Sequence, residues 1–528
     1  MDVIPFGMCE DGATYRGKGP GHLDSLELRY VNILGQRARR IIVAIPASRM
    51  CGEACGCPCK GRCTKVEIDR IILWMLEVCA SGKRPANRHD HFAFTEQHRR
   101  DNRNKVFVTE EVSEHGVRFV LLEYRADWVQ LSKGLGFPSH GSLNFCPKCK
   151  VPREQAHDYE ESFAWPCRTH ESYLHDAAQV TIVVVVSRQT FSRILEVLKF
   201  DWRRNGMHGR IVGRQLQVMD LKRGVSTTLL ANDRLEAAGD IRDIHCDNCS
   251  LLPDPCTIVF FRKRVGVFLK FIPLLLSAPF FKFEYILLDI LHSLDLGVTA
   301  RLVAYCIVLL LKHGKYGNAD NRTGLLQGLR SFNRSMRVYA SGERKRCRRQ
   351  LKGSFTCFNT ITLSMLGLKK SLNARPMMKG RGIEVRHILP FCIHELRPQT
   401  SSIANSRLLL TSMTSLKCAY DIMERNGYEL PPDVCDELEH HLKQCGKNAR
   451  DGQVPLLPKF HLLPHLGAQC RVSGNLRHSA MLEDESMNAD SVRMAARSHS
   501  RDFMERLLAQ QQLLLDIEQE LLDFRIKG

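Results

Sequence analysis

VRFVLLEY at residues 117–124, followed by Arg125-Ala126-Asp127-Trp128, decides how this chain is read. The run is short, β-branched and aliphatic, which predicts a strand. Asp127 stands where that strand ends, a position that suits a helix cap as well as a carboxylate offered at a sheet edge.

Toward the N-terminus the same rhythm repeats. Ile4 to Cys9 is a short extended run closed by Glu10-Asp11-Gly12, a turn signal. Leu26 to Leu34 and Arg40 to Pro46 read as two further strands. Between Lys65 and Ala80 the apolar residues Val66, Ile68, Ile71, Ile72, Met75, Leu76 and Cys79 recur at helical spacing, and Gly82 stops the helix. Lys105 to Val108 is again strand-like. Three strands, a helix and a further strand form the opening of a ribonuclease-H-like fold, so the class expected is α/β.

Past residue 150 the pattern changes. Val180 to Val186 predicts a buried strand and Ser192 to Phe200 a helix; beyond 285 the chain becomes mainly helical, with basic, coil-like stretches around 313–352 and 369–387. Phe503, Leu507, Leu514, Ile517, Leu521 and Phe524 mark one face of a last amphipathic helix. The expected organisation is a core half over 1–150 with a cysteine-rich loop at 51–63, a mixed insertion over 151–285, a helical basic insertion over 286–455, and a helical part over 456–528 that completes the core.

Composition narrows the partner. A chain of 528 residues exceeds one compact core. The net charge of +19 favours a polyanion, because each Lys or Arg set against a phosphate releases a counterion. Residues 301–352 carry thirteen Lys or Arg against Asp320 and Glu343, densest at Arg344, Lys345, Arg346, Arg348, Arg349 and Lys352. That run reads as DNA phosphate contacts or a nuclear-targeting signal, with a solvated loop as the rival. Ile272 to Phe281 and Leu302 to Leu311 are bounded by Lys or Arg and fall short of the ~20 apolar residues of a membrane span. They read as buried core helices, and no membrane partner is expected.

Twenty-one cysteines and no secretory leader imply a reducing compartment, with thiols free or on metal. Cys51, Cys55, Cys57, Cys59 and Cys63 pack five thiols into a glycine-rich loop, a spacing that suits tetrahedral Zn²⁺. Cys146-x-x-Cys149 is half of another site, with His157, Cys167 or His170 as candidate partners; Cys246-x-x-Cys249, near His245 and Cys256, is a third candidate. Asp11 and Asp127 sit at the ends of strands that neighbour one another in a ribonuclease-H-like sheet. Two such carboxylates and a third acid hold two Mg²⁺ ions and clamp the attacking and leaving oxygens of a phosphodiester. The plain alternative makes both of them turn and cap residues.

These motifs, in this order, resemble those of CACTA (En/Spm-type) transposases. The match runs through Asp11-Gly12, Pro85-Ala86-Asn87-Arg88-His89-Asp90, Ala126-Asp127-Trp128, Gly136-Phe137 and Cys146-Pro147-Lys148-Cys149. It continues at Asp289-Ile290-Leu291-His292, Asp295-Leu296-Gly297-Val298, Pro458-Lys459-Phe460-His461 with His465, and Asp484-Glu485-Ser486. The resemblance implies a nuclear DDE-type enzyme that hydrolyses and transfers DNA strands on two metal ions. Asp11, Asp127 and Glu485 match its acids, with Glu483 and Asp484 beside the third, and Asp289 and His292 support the pocket or the DNA. The gap from Asp127 to Glu485 implies a large insertion inside the catalytic fold. With only ten residues before Asp11, no separate N-terminal DNA-binding domain is expected. Two other readings stay open: a transposon-derived binder of nucleic acid that does not cut, and a zinc-stabilised interaction scaffold. Self-association is compatible with all three.

Overall fold

The computed structural model describes residues 2–16, 23–33, 39–46, 50, 62–81, 87–90, 92, 117–135, 137, 145–159, 165–173, 181–186, 218–220, 225–227, 257–261, 264–270, 274–279, 281–313, 315–316, 322–349, 355–368, 375–481, 488 and 491–492. The fold is mixed α/β. Strands β1 (Asp2–Arg16), β2 (Leu23–Ile33), β3 (Arg39–Pro46), β4 (Val117–Ala126) and β10 (Ile286–Leu288) form one sheet in the order β10-β4-β1-β2-β3. β2 runs antiparallel to β1 and β3, whereas β4 is parallel to both β1 and β10.

The first strand is longer than its sequence implied. Glu10-Asp11-Gly12 is no turn: β1 continues to Arg16, paired with β2 as far as Leu23. Pairing with β4 stops at Glu10 opposite Ala126, so from Asp11 onward β1 overshoots its parallel neighbour. The acid does not break the ladder because its own Oδ1 accepts from the Gly12 backbone N–H at 2.7 Å. Pro5, which has no N–H to give, stands before the pairing with β2 begins at Phe6.

Helix α1 (Arg62–Ser81) follows β3 and lies on one face of the sheet. Its buried positions Ile68, Ile72 and Leu76 meet Met8, Leu121 and Tyr124, each removal from water contributing about 1.5–3 kcal/mol per large side chain. The same interface encloses charge. Arg29 Nη1 donates to Asp69 Oδ1 at 2.5 Å, and Arg29 Nη2 lies 3.6 Å from Glu10 Oε2, which also accepts from the Tyr124 hydroxyl. Burial works against the Arg29 cation, but the two carboxylates more than offset this and raise its pKa.

After β4 comes the short helix α2 (Trp128–Gly134). A separate antiparallel sheet holds β5 (Thr181–Val186), β9 (Arg264–Lys270) and β8 (Thr257–Phe261), in that order; β6 (Val218–Asp220) pairs with β7 (Val225–Thr227). Within the run expected at 180–186, Thr181–Val186 is thus a strand, outside the main sheet. Ser192 to Phe200, Lys105 to Val108 and the stretch from Phe503 to Phe524 lie outside the described residues. Among its described residues, Ile272 to Phe281 forms a 3₁₀ turn, Leu274–Ser277, in place of a helix.

The fifth strand of the main sheet, Ile286–Leu288, lies inside the segment expected to be helical. Three apolar residues at the head of a long apolar run carry no period by which to tell strand from helix. A π-helical segment, Leu291–Thr299, leads from it into α3 (Ala300–Lys312). Leu291–Lys312 is long and apolar enough to cross a membrane, yet 83% of its most apolar window is buried inside the protein. Around it pack α4 (Arg322–Arg349), α5 (Gly382–Leu396), α6 (Ser406–Arg425), α7 (Pro432–Asp451) and α8 (Leu462–Ser473). Of the two basic stretches read as coil, 313–352 is largely helical, α4 alone covering 28 residues, whereas in 369–387 the described residues 375–381 are irregular and helix begins at Gly382. A polar outer face on a helix anchored by one apolar stripe looks like coil when charge alone is weighed.

Asp295 ties the π segment to this bundle. It is fully buried, and Arg386 Nε and Nη2 donate to its oxygens at 3.0 and 2.7 Å. The Tyr420 hydroxyl adds a bond at 2.5 Å, and the Arg386 guanidinium lies 4.6 Å above the Tyr420 ring. Gly382 permits this approach, since a Cβ there would fall 2.3 Å from Leu291 Cδ1. Arg386→Met should cost about 3–5 kcal/mol by leaving Asp295 charged and unpaired. The double change Asp295→Leu with Arg386→Met should recover much of that loss, which denaturant unfolding followed by circular dichroism will measure.

Candidate metal centre and acid cleft

Cys146 and Cys149 follow α2 in a tight loop, where the Lys148 N–H donates to Cys146 Sγ at 3.3 Å. The two remaining ligand candidates come from the far end of the chain. His461 closes the 3₁₀ turn Pro458–His461 and His465 lies one helical turn later in α8, so both imidazoles face one way. Cys149 Sγ is 3.2 Å from His461 Nε2, Cys146 Sγ is 3.5 Å from His465 Nε2, and the two Nε2 atoms are 3.2 Å apart. All four ligand atoms lie within 4.8 Å of one another. Tetrahedral zinc with the usual bond lengths requires ligand separations of ~3.3–3.8 Å, so the cluster could hold such a metal.

The surroundings prepare the ligands. His461 Nδ1 donates to the Ala156 carbonyl at 2.9 Å, which leaves Nε2 with its lone pair toward the cluster. Burial lowers the pKa of His465 and keeps its imidazole neutral. The hydrogen bond with Cys146, joined by those with His461 and His465, outweighs burial and holds Cys149 far below the usual thiol range. Burial pushes Cys146 the other way and pulls Lys148 down to about 8. Phe145 packs edge-on against His461 at 5.5 Å and stacks on Trp128 at 5.7 Å.

His157, Cys167 and His170 are not the missing ligands. His157 Nε2 bonds instead to the Leu457 carbonyl at 3.0 Å, Cys167 is exposed in a bridge opposite Cys149, and His170 stands outside the cluster. Nearness in sequence pointed to them, whereas His461 and His465 stand more than 300 positions away. Their spacing of four was the signal, since it can put both rings on one helix face. Cys51, Cys55, Cys57 and Cys59 lie outside the described residues; Cys63 opens α1, its side chain undescribed. Cys246, Cys249, His245 and Cys256 are likewise outside.

Beside this cluster the main sheet ends in acids. Asp11 and Asp127 each stand one position beyond Glu10 and Ala126, the last paired residues of β1 and β4, and so at one level on adjacent parallel strands. Neighbouring strands are ~4.8 Å apart. Asp289 stands at the same level on the next strand, one position beyond Leu288, which pairs with Ala126. Asp11 is buried, and Asn488 Nδ2 donates to its Oδ2. Asp127 caps α2, its Oδ1 accepting from the Gln130 N–H at 2.6 Å, and remains partly open. Glu483, Asp484 and Glu485 lie outside the described residues.

Asp289 and His292 form a pair, though not as equals on one helix face. Asp289 precedes the helix and caps it, accepting from the Leu291 and Met481 N–H groups at 3.0 and 2.9 Å. Its Oδ2 takes the His292 N–H at 2.8 Å and the His292 ring Nδ1 at 2.6 Å. Burial alone would raise its pKa, but His292 and these backbone donors outweigh burial and hold it below the usual carboxylate range.

A small cleft lies between Asp127, Trp128, Asp289, His292 and Lys459. Lys459 was overlooked as a site residue. Its ammonium donates to the His292 carbonyl at 2.7 Å, and burial lowers its pKa against the pull of Asp127 and Asp289. Its stem crosses the π segment at Gly297, where a Cβ would fall 2.7 Å from Lys459 Cδ. In the sequence it stands inside the Pro458-Lys459-Phe460-His461 match, without a role of its own.

Arg344, Lys345, Arg346, Arg348 and Arg349 all lie on the C-terminal part of α4 and are exposed; Lys352 is outside the described residues. Elemental analysis of purified protein should find zinc that disappears from the Cys146/Cys149 cluster in Cys149→Ser and in His461→Ala. Any zinc retained by those variants belongs to a different set of thiols, with the 51–63 loop as the first candidate. Equal zinc in wild type and both variants would dismiss the four-residue site.

No protein-family model and no curated protein matches this chain, so its function has to be argued from where these side chains stand.

Proposed function

We propose that the chain is a transposase-like DNA-processing protein on a ribonuclease-H-like core, akin to the CACTA type and working in the nucleus. The observation that carries the reading is the level of Asp11 and Asp127 on adjacent parallel strands, in a sheet of order β10-β4-β1-β2-β3 where only β2 runs against β1, β4 and β10. Among the described residues Asp127 forms no ion pair, and its oxygens are the hard donors that Mg²⁺ prefers. Asp11, Asp127 and an acid from Glu483, Asp484 or Glu485 would hold the ions. Mg²⁺ bound there supplies charge for the phosphoryl oxygens and an activated water.

The chain's own groups have separate work. Lys459 brings a cation to the cleft beside Asp127, suited to a phosphate oxygen. Asp289 fixes the His292 ring by its Nδ1 at the wall of the cleft. The Cys146, Cys149, His461 and His465 cluster, filled by Zn²⁺, would tie the loop after α2 to the helix that carries Lys459 toward the cleft.

A second reading draws on one contact. The Asn488 amide occupies Asp11 Oδ2, an oxygen that a metal would need, and this favours a relic that binds DNA without cutting it. Supercoiled plasmid incubated with the full chain and Mg²⁺ or Mn²⁺ separates the two. The cutting enzyme should nick it, and Asp11→Asn or Asp127→Asn should slow nicking by about 10³-fold or more, the scale at which loss of a charge-stabilising group in the transition state is felt. Nicking that persists in both variants, or absent nicking with salt-sensitive binding intact, rejects the enzyme.

A further inference from the structure

Helix α4 carries a second feature, away from the acids. Its inner stripe, Leu325, Leu329, Phe332, Met336 and Ala340, is buried against the helical core. Asn333 Nδ2 donates to the Ile361 carbonyl at 2.9 Å while its Oδ1 accepts the Ile361 N–H at 2.8 Å. Phe332 meets Tyr316 and Phe391 edge-on, and Tyr339 leans on Phe391 at 5.2 Å. One side of the helix is therefore held rigidly.

The other side is cationic. Arg330, Arg334, Arg337, Arg344 and Arg348 are all exposed, and steps of three or four residues, with Ser341 filling the one gap, keep them on one line. At 1.5 Å per residue the line is roughly 27 Å long, with a guanidinium about every 5 Å where no gap intervenes. Among the described residues none of the five forms an ion pair, while the sole acid of the helix, Glu343, is bonded to Arg346 at 2.5 Å, off the line. Like charges this close cost stability when nothing opposes them, and a helix with no other work would disperse them.

We propose that this arginine line is a duplex-DNA docking ridge that follows the phosphate backbone without reading bases. Charge complementarity commits it to a polyanion. Length and regularity favour a rigid, evenly charged rod over an acidic peptide, because the ridge spans most of one ~34 Å turn of duplex. Guanidinium groups suit phosphate oxygens, which accept two parallel N–H bonds from one fork. The inference rests on the nucleic-acid part of the proposed function and not on cleavage. It also revises the sequence-based set: Arg330, Arg334 and Arg337 join Arg344 and Arg348, whereas Arg346 and Arg349 fall off the line.

The test compares two triple variants of equal charge in the full chain. Arg334, Arg337 and Arg344 changed to Gln alter the ridge; Arg322, Arg346 and Arg349 changed to Gln alter the same helix off the ridge. Fluorescence anisotropy of a labelled 40-base-pair duplex of mixed sequence is read across a range of salt. The ridge triple should lower the slope of log affinity against log salt by ~2.7, about 0.9 for each lost phosphate contact. The control should lower it by less than one. Equal slopes for both triples, or a ridge triple like wild type, overturns the proposal. So does a ridge triple that loses polyglutamate or phosphatidylserine-vesicle binding yet keeps the duplex. Failure of plasmid nicking with the ridge effect intact would reject the enzyme alone.

Discussion

Two thiols and two imidazoles brought within 4.8 Å of one another are the constraint around which the rest is arranged. Imidazoles and thiols buried together gain little from each other, but they match what a tetrahedral soft-to-borderline cation takes. The ligands come from two places in the chain, the loop behind Asp127 and the start of α8. Whatever fills the cluster therefore closes a loop of more than 300 residues. Supports lie on both sides: the Tyr159 hydroxyl donates to the Phe460 carbonyl at 2.9 Å, and Lys148 donates to the carbonyl of Ile286, the first residue of β10. The Tyr159 ring is admitted because Gly446 of α7 has no Cβ, which would fall within 2.5 Å of it.

That closure determines what stands at the edge of the sheet. Lys459 sits two residues before His461, so anchoring the imidazole delivers the lysine over Gly297 to the cleft. The sheet contributes the other half. Its opposite faces are locked by buried polar contacts, Glu10 with Arg29 and Tyr124 toward α1, and Arg125 with Asn32 and the His478 carbonyl on the other. Buried charge of this kind adds little net stability but is costly to leave unpaired, which makes register errors expensive. With the register held, Asp11, Asp127 and Asp289 must emerge at one level.

The helical part follows a different rule. Its core is mostly apolar, and Asp295 with Arg386 and Tyr420 forms a buried polar contact where the π segment meets α5 and α6. π-helical turns widen the backbone and often occur beside functional sites. Here the wide turn lies directly beyond Asp289 and carries His292, so the site and the bundle share one rigid segment.

The sequence by itself determined the local elements: three strands, α1 and β4 in order, each with a period that burial enforces, and the apolar helix at 302–311. It also marked Asp11, Asp127, Cys146, Cys149, Asp289 and His292 as residues of chemical interest. A side-chain period is a local property, so it survives in the linear string. What the string does not hold is distance. Whether Cys146 and Cys149 turn to His157 nearby or to His461 far off depends on which helix packs behind the loop. Whether Ile286–Leu288 is strand or helix depends on an open edge beside β4. The arginines of α4 became a line only once packing chose which side of the helix faces inward. Those were decisions of the tertiary structure, because each depends on contacts between segments whose separation along the chain carries no information about their separation in space.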